Sequence, residues 1–348
     1  MALLWWDSFD HYATGDRLEK WAYTNNNVVV GAYGRMGTNG LRLDGYINPV
    51  WLRSRYIGTL TTVTVGFGFE FEALHPWGYS AIVGLLDYGS YQITLTVGPD
   101  GSLHVWRGSI GTRLASTDPG LIHAGVYYYI EMQVYIDNAP NGTVEVWLNE
   151  DVVINAAGLD TQNTANQRIT EMELGGSCSS GAGTHRYFRL DDLYVLDDSG
   201  AQCNDFLGDY RQYLLMPEGV GAHADWTPSA GANWQCVDDN PPSGDTDYNA
   251  TNTVTDRDSF EMEDMPGGWS GTIQAVEVAI NSRRDDAVAH QMEPSVRSGG
   301  VDYDGTAALI TDDYSFYNLH AWELDPNTAA AWLVAGVNAM ECGYELTV

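Results

Sequence analysis

Positive charge is what this sequence has least of: 16 Lys and Arg stand against 47 Asp and Glu in 348 residues, and Lys20 is the only lysine. At a formal net charge of -31, phosphate approaching the surface meets repulsion rather than counterion release, so nucleic acid is not an expected partner. The same sign disfavours an anionic membrane. Two readings of the acidity stay open: solubility, in a salty medium for example, and loading with calcium. Cysteine is also scarce. Cys178, Cys203, Cys236 and Cys342 form no CxxC pair and lie near no paired histidines, which excludes a structural zinc site of the usual kind. Ala2-Leu3-Leu4-Trp5-Trp6 runs straight into Asp7 and Asp10 without a basic region or cleavage site, so reduced thiols and cytosolic synthesis are expected. A run of about 18 apolar residues is missing, and no membrane insertion is expected. Missing too are the GxSxG elbow, the HExxH zinc pair and the GxxxxGK[ST] phosphate loop. The eight histidines are dispersed, and no nucleophile and base can be paired by spacing.

What is present is material for sheets. The chain is 44% hydrophobic and 12% aromatic, and its length suits two domains of ordinary size. Short stretches rich in Val, Ile, Thr, Tyr and Trp alternate with Gly, Asn, Asp and Pro clusters, the pattern of antiparallel strands. Thr61 to Glu72 puts Val63, Val65, Phe67, Phe69 and Phe71 on one face and Thr62, Thr64, Glu70 and Glu72 on the other, predicting one core face and one wet face. Strands are expected over 80–86, 91–97, 102–107, 127–135, 143–148 and 187–196. Gly98-Pro99-Asp100-Gly101 and Leu148-Asn149-Glu150-Asp151-Val152 read as tight reversals. Asp197-Asp198-Ser199-Gly200-Ala201 reads as a linker, giving domains 1–198 and 199–348. In the second half, 272–282, 291–297, 314–324 and 344–348 read as strands. Asn327 to Met340 is the one helical segment, entered at Pro326 and ended at Gly343. The fold class expected is therefore all-β: two jelly-roll-like β-sandwich domains with one short helical segment near the C-terminus.

Several stretches of the first half, Asp7-Ser8-Phe9-Asp10, Gly40-Leu41-Arg42-Leu43, Tyr129-Ile130-Glu131, 142–149 and Asp191-Asp192-Leu193-Tyr194-Val195, together resemble a concanavalin or laminin-G-like jelly roll. Trp226-Thr227-Pro228-Ser229, Asp285-Asp286, 298–305 and 332–339 are similar to the C-terminal domain of tailed-phage virion proteins. The pairing implies a bacteriophage virion structural protein, made in the host bacterial cytoplasm and carried on the particle. It would serve as a capsid decoration, head fibre or tail-associated subunit. Other virion proteins are its implied partners, and a homo-oligomer is expected. Jelly rolls of this kind often keep one structural ion, and the resemblance offers Asp192 with Asp7 or Asp10 as calcium ligands. Asp302 and Asp304 offer an unrelated loop, and ordinary turn stabilisation is the plainer account of all these acids.

Glycan contact is the functional reading with the most chemistry behind it, because sugar faces stack on flat rings while carboxylates and amides bond to hydroxyls. Trp77, Tyr79, Tyr88, Tyr91 and Trp106 cluster around the middle strands and are the candidates; the competing account is that they fill the core or a subunit interface. A host-glycan-binding tail adhesin is thus an alternative. A glycoside hydrolase is a further one, since laminin-G-like folds include enzymes with two carboxyl groups about 5 to 10 Å apart. Glu70 and Glu72 meet that spacing loosely, but the ExDxxE arrangement of such enzymes is missing, and a non-enzymatic chain is expected.

Overall fold

The computed structural model describes residues 3–24, 27–44, 50–176, 187–317 and 320–348. It is all-β, as the alternation predicts, and divides into two compact units. One holds residues 2–199 with Asn204–Gln212; the other holds Gly200–Cys203 with Tyr213–Val348.

The first of these units is a sandwich of two antiparallel sheets. The front sheet has seven strands, in the order Thr112–Ser116, Leu103–Arg107, Ser90–Val97, Ser80–Asp87, Glu171–Gly175, Trp51–Arg53 and Tyr23–Thr24. The eight-stranded back sheet runs Asp151–Leu159, Gly142–Leu148, Tyr128–Tyr135, Thr62–Phe71, Phe188–Leu196, Gly40–Leu43 and Val28–Gly31, with Leu3–Asp7 also pairing with Phe188–Leu196. Apolar residues at alternate positions make the core: Val63, Val65, Phe67, Phe69 and Phe71 from the back, and Val83, Leu85, Ile93, Leu95 and Val105 from the front, all essentially buried. The reversal at Tyr88-Gly89 has both residues at positive φ, 43° and 80°. That geometry matches the twist of the strands it joins, and glycine supplies the second position without strain.

The back sheet departs from expectation on its other face, which is covered rather than wet. Gly66 and Gly68 leave room there: a Cβ on Gly66 would lie 2.3 Å from the Tyr194 ring, and one on Gly68 would lie 2.4 Å from Arg35. Over these side chains runs the strap Asn204–Gln212. Phe206 stacks on Trp147 at 4.8 Å and Tyr210 stands edge-on to Tyr194 at 5.3 Å. The amides of Leu207 and Gly208 donate to Glu131 Oε1 at 2.8 and 3.0 Å. Sequence alternation cannot register this cover, because it is supplied by a distant segment.

The sole lysine is also committed to the interior. Lys20 is 2% exposed, with Nζ 3.8 Å from Asp7 Oδ1 and 3.3 Å from His11 Nε2. Asp7 itself is fully buried and accepts from Phe9 N, Tyr12 Oη and Trp21 Nε1 at 2.7–2.8 Å.

The other unit centres on a six-stranded sheet containing Pro217–Ala224, Arg257–Met262, Glu341–Leu346, Gln291–Ser298 and Val301–Asp304, with Ala308–Leu309 beside Gln291–Ser298. One face of it carries Phe260, Met292, Val296, Cys342, Tyr344 and Leu346 into the core. The expected helix over 327–340 shrinks to one turn, Val334–Val337. Asp325 pairs with Ala330 and Ile273 with Trp332 as isolated bridges, and Trp332 is buried with Nε1 donating to Trp322 O at 2.8 Å. Tertiary pairing of that tryptophan overrides the local helical pattern. Cys203, Cys236 and Cys342 are buried free thiols; Cys178 lies outside the described residues.

Candidate functional site

The front sheet turns Leu52, Leu174, Leu85, Leu95 and Val105 to the core, so their chain neighbours point outward. Register then lines up one residue from every strand: Tyr23, Arg53, Glu173, Gly84, Thr94, Trp106 and Arg113 are successive cross-strand partners. With strands about 4.8 Å apart, this rung spans about 29 Å. The strands of this sheet carry three arginines (Arg53, Arg107, Arg113) and three acids (Asp87, Glu171, Glu173), so 3 − 3 leaves them neutral in a chain of net charge -31.

In the middle of the rung Glu173, only 1% exposed, accepts from Arg53 Nε at 3.1 Å and Nη2 at 2.7 Å, and from Tyr91 Oη. Tyr91 reaches it by lying across Gly84, where a Cβ would come within 2.6 Å of the ring. A buried carboxylate held this way is fixed in place and ionic in partner. Toward one end, Trp106 lies nearly buried with Nε1 donating to Thr96 Oγ1 at 2.9 Å. Tyr79 stands edge-on over both Trp106, at 5.0 Å, and His104, at 4.9 Å. Trp77 beside it is 84% exposed. Off the rung, at the turn that joins Ser80–Asp87 to Ser90–Val97, lies a stacked pair, Tyr56 and Tyr88, with centroids 6.3 Å apart and planes 16° apart. Arg168 sits 4.8 Å over Tyr88 while bonding Asp87.

The five aromatic residues expected from sequence therefore lie on or beside this one face, in different roles. Trp106 is floor, Tyr91 and Tyr79 half-buried cover, and Trp77 and Tyr88 are exposed rings. Sequence reading missed Tyr23, Tyr56, Arg53, Glu173 and Arg113. Arg113 is exposed and makes no ion pair among the described residues.

The calcium candidates are placed differently. Asp7 is enclosed by its own donors, Asp10 accepts from Asn39 N at 2.8 Å, and Asp192 accepts from Gln212 N at 2.9 Å and faces Arg35. Their oxygens already serve protein donors, and among the described residues no group of three or more His, Cys, Asp or Glu is placed to hold a metal ion. This donor set does not fit calcium, which takes six to eight oxygens. Asp302 pairs with Arg297 and His223, and Asp304 with Arg257. Asp191 and Asp192 are instead an acid pair: burial, then the charge of Asp192, raises Asp191 to about 8, and burial raises Asp192 to about 6. Glu70 is paired with Arg189 at 3.2 Å on the back sheet and Glu72 is exposed at its strand end, so the two flank no common site. A cavity of about 380 Å³ also opens on the back sheet between Tyr127, Tyr129, Asn149, Glu150 and Asp209, but Arg35 already lies in it, 5.0 Å over Tyr129.

No protein-family model matches the chain, and no curated protein sequence matches it. Solved structures do. The alginate lyase Aly36B matches at 13% identity and TM-score 0.40, over 56% of this chain and 96% of that one. An endo-β-1,4-glucuronan lyase from the fungus Trichoderma reesei matches at 14% and 0.40, over 56% and 95%. The alginate lyase of Aplysia kurodai matches at 13% and 0.44, over 56% and 99%. At these values the likeness does not carry an activity across. It does correct the expectation of a non-enzymatic chain: the matched proteins are polysaccharide lyases, so a lack of hydrolase motifs is no ground for excluding turnover, and that exclusion is withdrawn.

Proposed function

We propose that the front face binds a polysaccharide lying along the rung from Tyr23 to Arg113. The observation that carries this reading is the rung itself. Seven consecutive strands each place a residue on the side away from the core, and these include two arginines, a fixed carboxylate, a tyrosine and a tryptophan. Arginine groups bond sugar hydroxyls in fixed directions, and exposed rings, Trp77 before the strand Ser80–Asp87 and the Tyr56–Tyr88 pair beyond its far end, offer flat faces for sugar stacking on either side of the rung. The length suits several sugar units, and the neutral sheet does not share the repulsion of the rest of the surface.

The test is binding of the whole chain to neutral glucans, galactans and polyuronates, for the native sequence and for Arg53→Ala and Trp77→Ala. The expected outcome is retention of at least one polymer, with each variant weakened by on the order of tenfold, as for a lost charged hydrogen bond or stacking ring. Unchanged binding in both variants, or no binding of any polymer, removes the reading. The same samples, followed for new unsaturated ends and new reducing ends, determine whether the bound polymer is also cleaved.

We further propose that the chain is a surface subunit of a tailed-phage particle, on the capsid or the tail. The support is the pairing of a first half that resembles a concanavalin or laminin-G-like jelly roll with a second half similar to the C-terminal domain of tailed-phage virion proteins. Mass spectrometry of purified particles, with antibody labelling in electron micrographs, tests it; a chain missing from the particle rejects it.

A further inference from the structure

The Trp106 end of the front face holds one polar atom that the protein leaves unused. His104 is 7% exposed, and its Nδ1 has no hydrogen-bond partner among the described residues. Its other nitrogen, Nε2, lies 2.7 Å from Ser102 Oγ, which in turn lies 2.5 Å from Asp100 Oδ1. Asp100 is held below the usual carboxylate range chiefly by the Ser102 hydroxyl and amide, so it is ionised. An oxygen 2.5 Å from a carboxylate must donate its only proton there. Ser102 then has only lone pairs left for the ring, and Nε2 must carry the hydrogen that bonds it. Burial, then the nearby Arg113, lowers the ring below its ordinary value, which keeps the imidazole neutral. Nδ1 is therefore a bare lone pair, buried, with its tautomer set by two residues of its own hairpin.

An unmet buried acceptor costs free energy. The neighbours of this one are Trp106 as floor and Tyr79, half-buried and edge-on at 4.9 Å, as cover. Tyr79 follows the segment that carries exposed Trp77. We infer that His104 Nδ1 is the acceptor for a hydroxyl group of the bound saccharide, reached when the Tyr79 ring turns aside. This rests on the front-face reading above. It adds a specificity-determining residue: a sugar with a hydroxyl at that position is selected over one with a hydrogen, an ether or a carboxylate there, since only a donor satisfies a lone pair.

The experiment uses the full chain with three probes, hexasaccharides of a neutral β-glucan, a galactan and a polyuronate. Affinities are measured for the native chain, His104→Phe, His104→Gln and Ser102→Ala, and the imidazole nitrogens of His104 are followed by NMR in the native chain. The expected result is that His104→Phe weakens binding on the order of tenfold, while His104→Gln, which keeps an acceptor, restores most of it. Ser102→Ala, which frees the tautomer, weakens binding by a smaller factor. In the free native chain Nδ1 resonates as the unprotonated nitrogen, and at saturation it moves toward the hydrogen-bonded range. If a probe binds while Nδ1 does not move, or while His104→Phe keeps full affinity, the inference is overturned and the front-face reading stands. If none of the three probes binds the native chain, the reading fails and takes the inference with it. Should His104→Phe not fold, the Nδ1 resonance decides.

Discussion

Asp191 and Asp192 are adjacent carboxyl groups on the strand that closes the first sandwich, and Asp192 adopts a left-handed backbone with φ of 52°. Their meaning is energetic. Asp191 accepts from Arg35 N at 2.7 Å and Thr38 Oγ1 at 3.0 Å, yet burial and its neighbour's charge still raise it to about 8 from 3.8. In the unfolded chain it loses its proton near its ordinary value. Between those limits the native state holds more protons than the unfolded state, so its contribution to stability falls as pH rises through the window. The melting temperature should therefore decline from pH 5 to pH 8, and Asp191→Asn, which cannot ionise, should flatten that decline. An unchanged slope in calorimetry across this range would show that the pair does not titrate there. Sequence gave a hint of this pair only as acidic residues in a closing strand; the burial that shifts them comes from side chains on other strands.

Among the elements, the strap Asn204–Gln212 lies along the back sheet, where Phe206, Leu207, Gly208, Tyr210 and Gln212 each dock. A fragment of residues 1–212 should melt several degrees above one of 1–199, because only the longer one covers Trp147, Tyr194 and Glu131. Equal melting temperatures would mean that the cover adds no stability. The strands themselves were legible wherever alternation was long: 61–72 is observed as Thr62–Phe71, 127–135 as Tyr128–Tyr135, 187–196 as Phe188–Leu196. The rest was not. Tyr23–Thr24 and Trp51–Arg53 are too short to show a period, and Glu171–Gly175 pairs with Trp51–Arg53 across more than a hundred residues. So Arg53 and Glu173 could not be placed beside Tyr91 and Trp106 from sequence. In the second half 272–282 and 314–324, which alternate on paper, survive only as fragments such as Ile280–Ser282 and Ser315–Tyr317.

For the molecule as a whole, the acidity is unevenly spread. The front-sheet strands balance their charges, so the excess of acids lies elsewhere and sets solubility and the long-range field. The few cations are mostly arginines tied into pairs, including Arg53 to Glu173, Arg107 to Asp160, Arg168 to Asp87 and Arg257 to Glu345. Fixed guanidinium pairs of this kind hold geometry on a surface that is otherwise self-repelling. No helix among the described residues is long and apolar enough to cross a membrane.

Enclosure of the only ε-amine beside Asp7 and His11 makes the native chain nearly blind to amine-directed chemistry. An N-hydroxysuccinimide ester should leave Lys20 unmodified in the folded state, and intact mass should show one more label on the chain after denaturation. Equal labelling of both states would mean that the pocket around Lys20 opens readily. Immobilisation or crosslinking for any binding assay on this protein is therefore better directed at carboxylates, of which the surface has many, than at lysine.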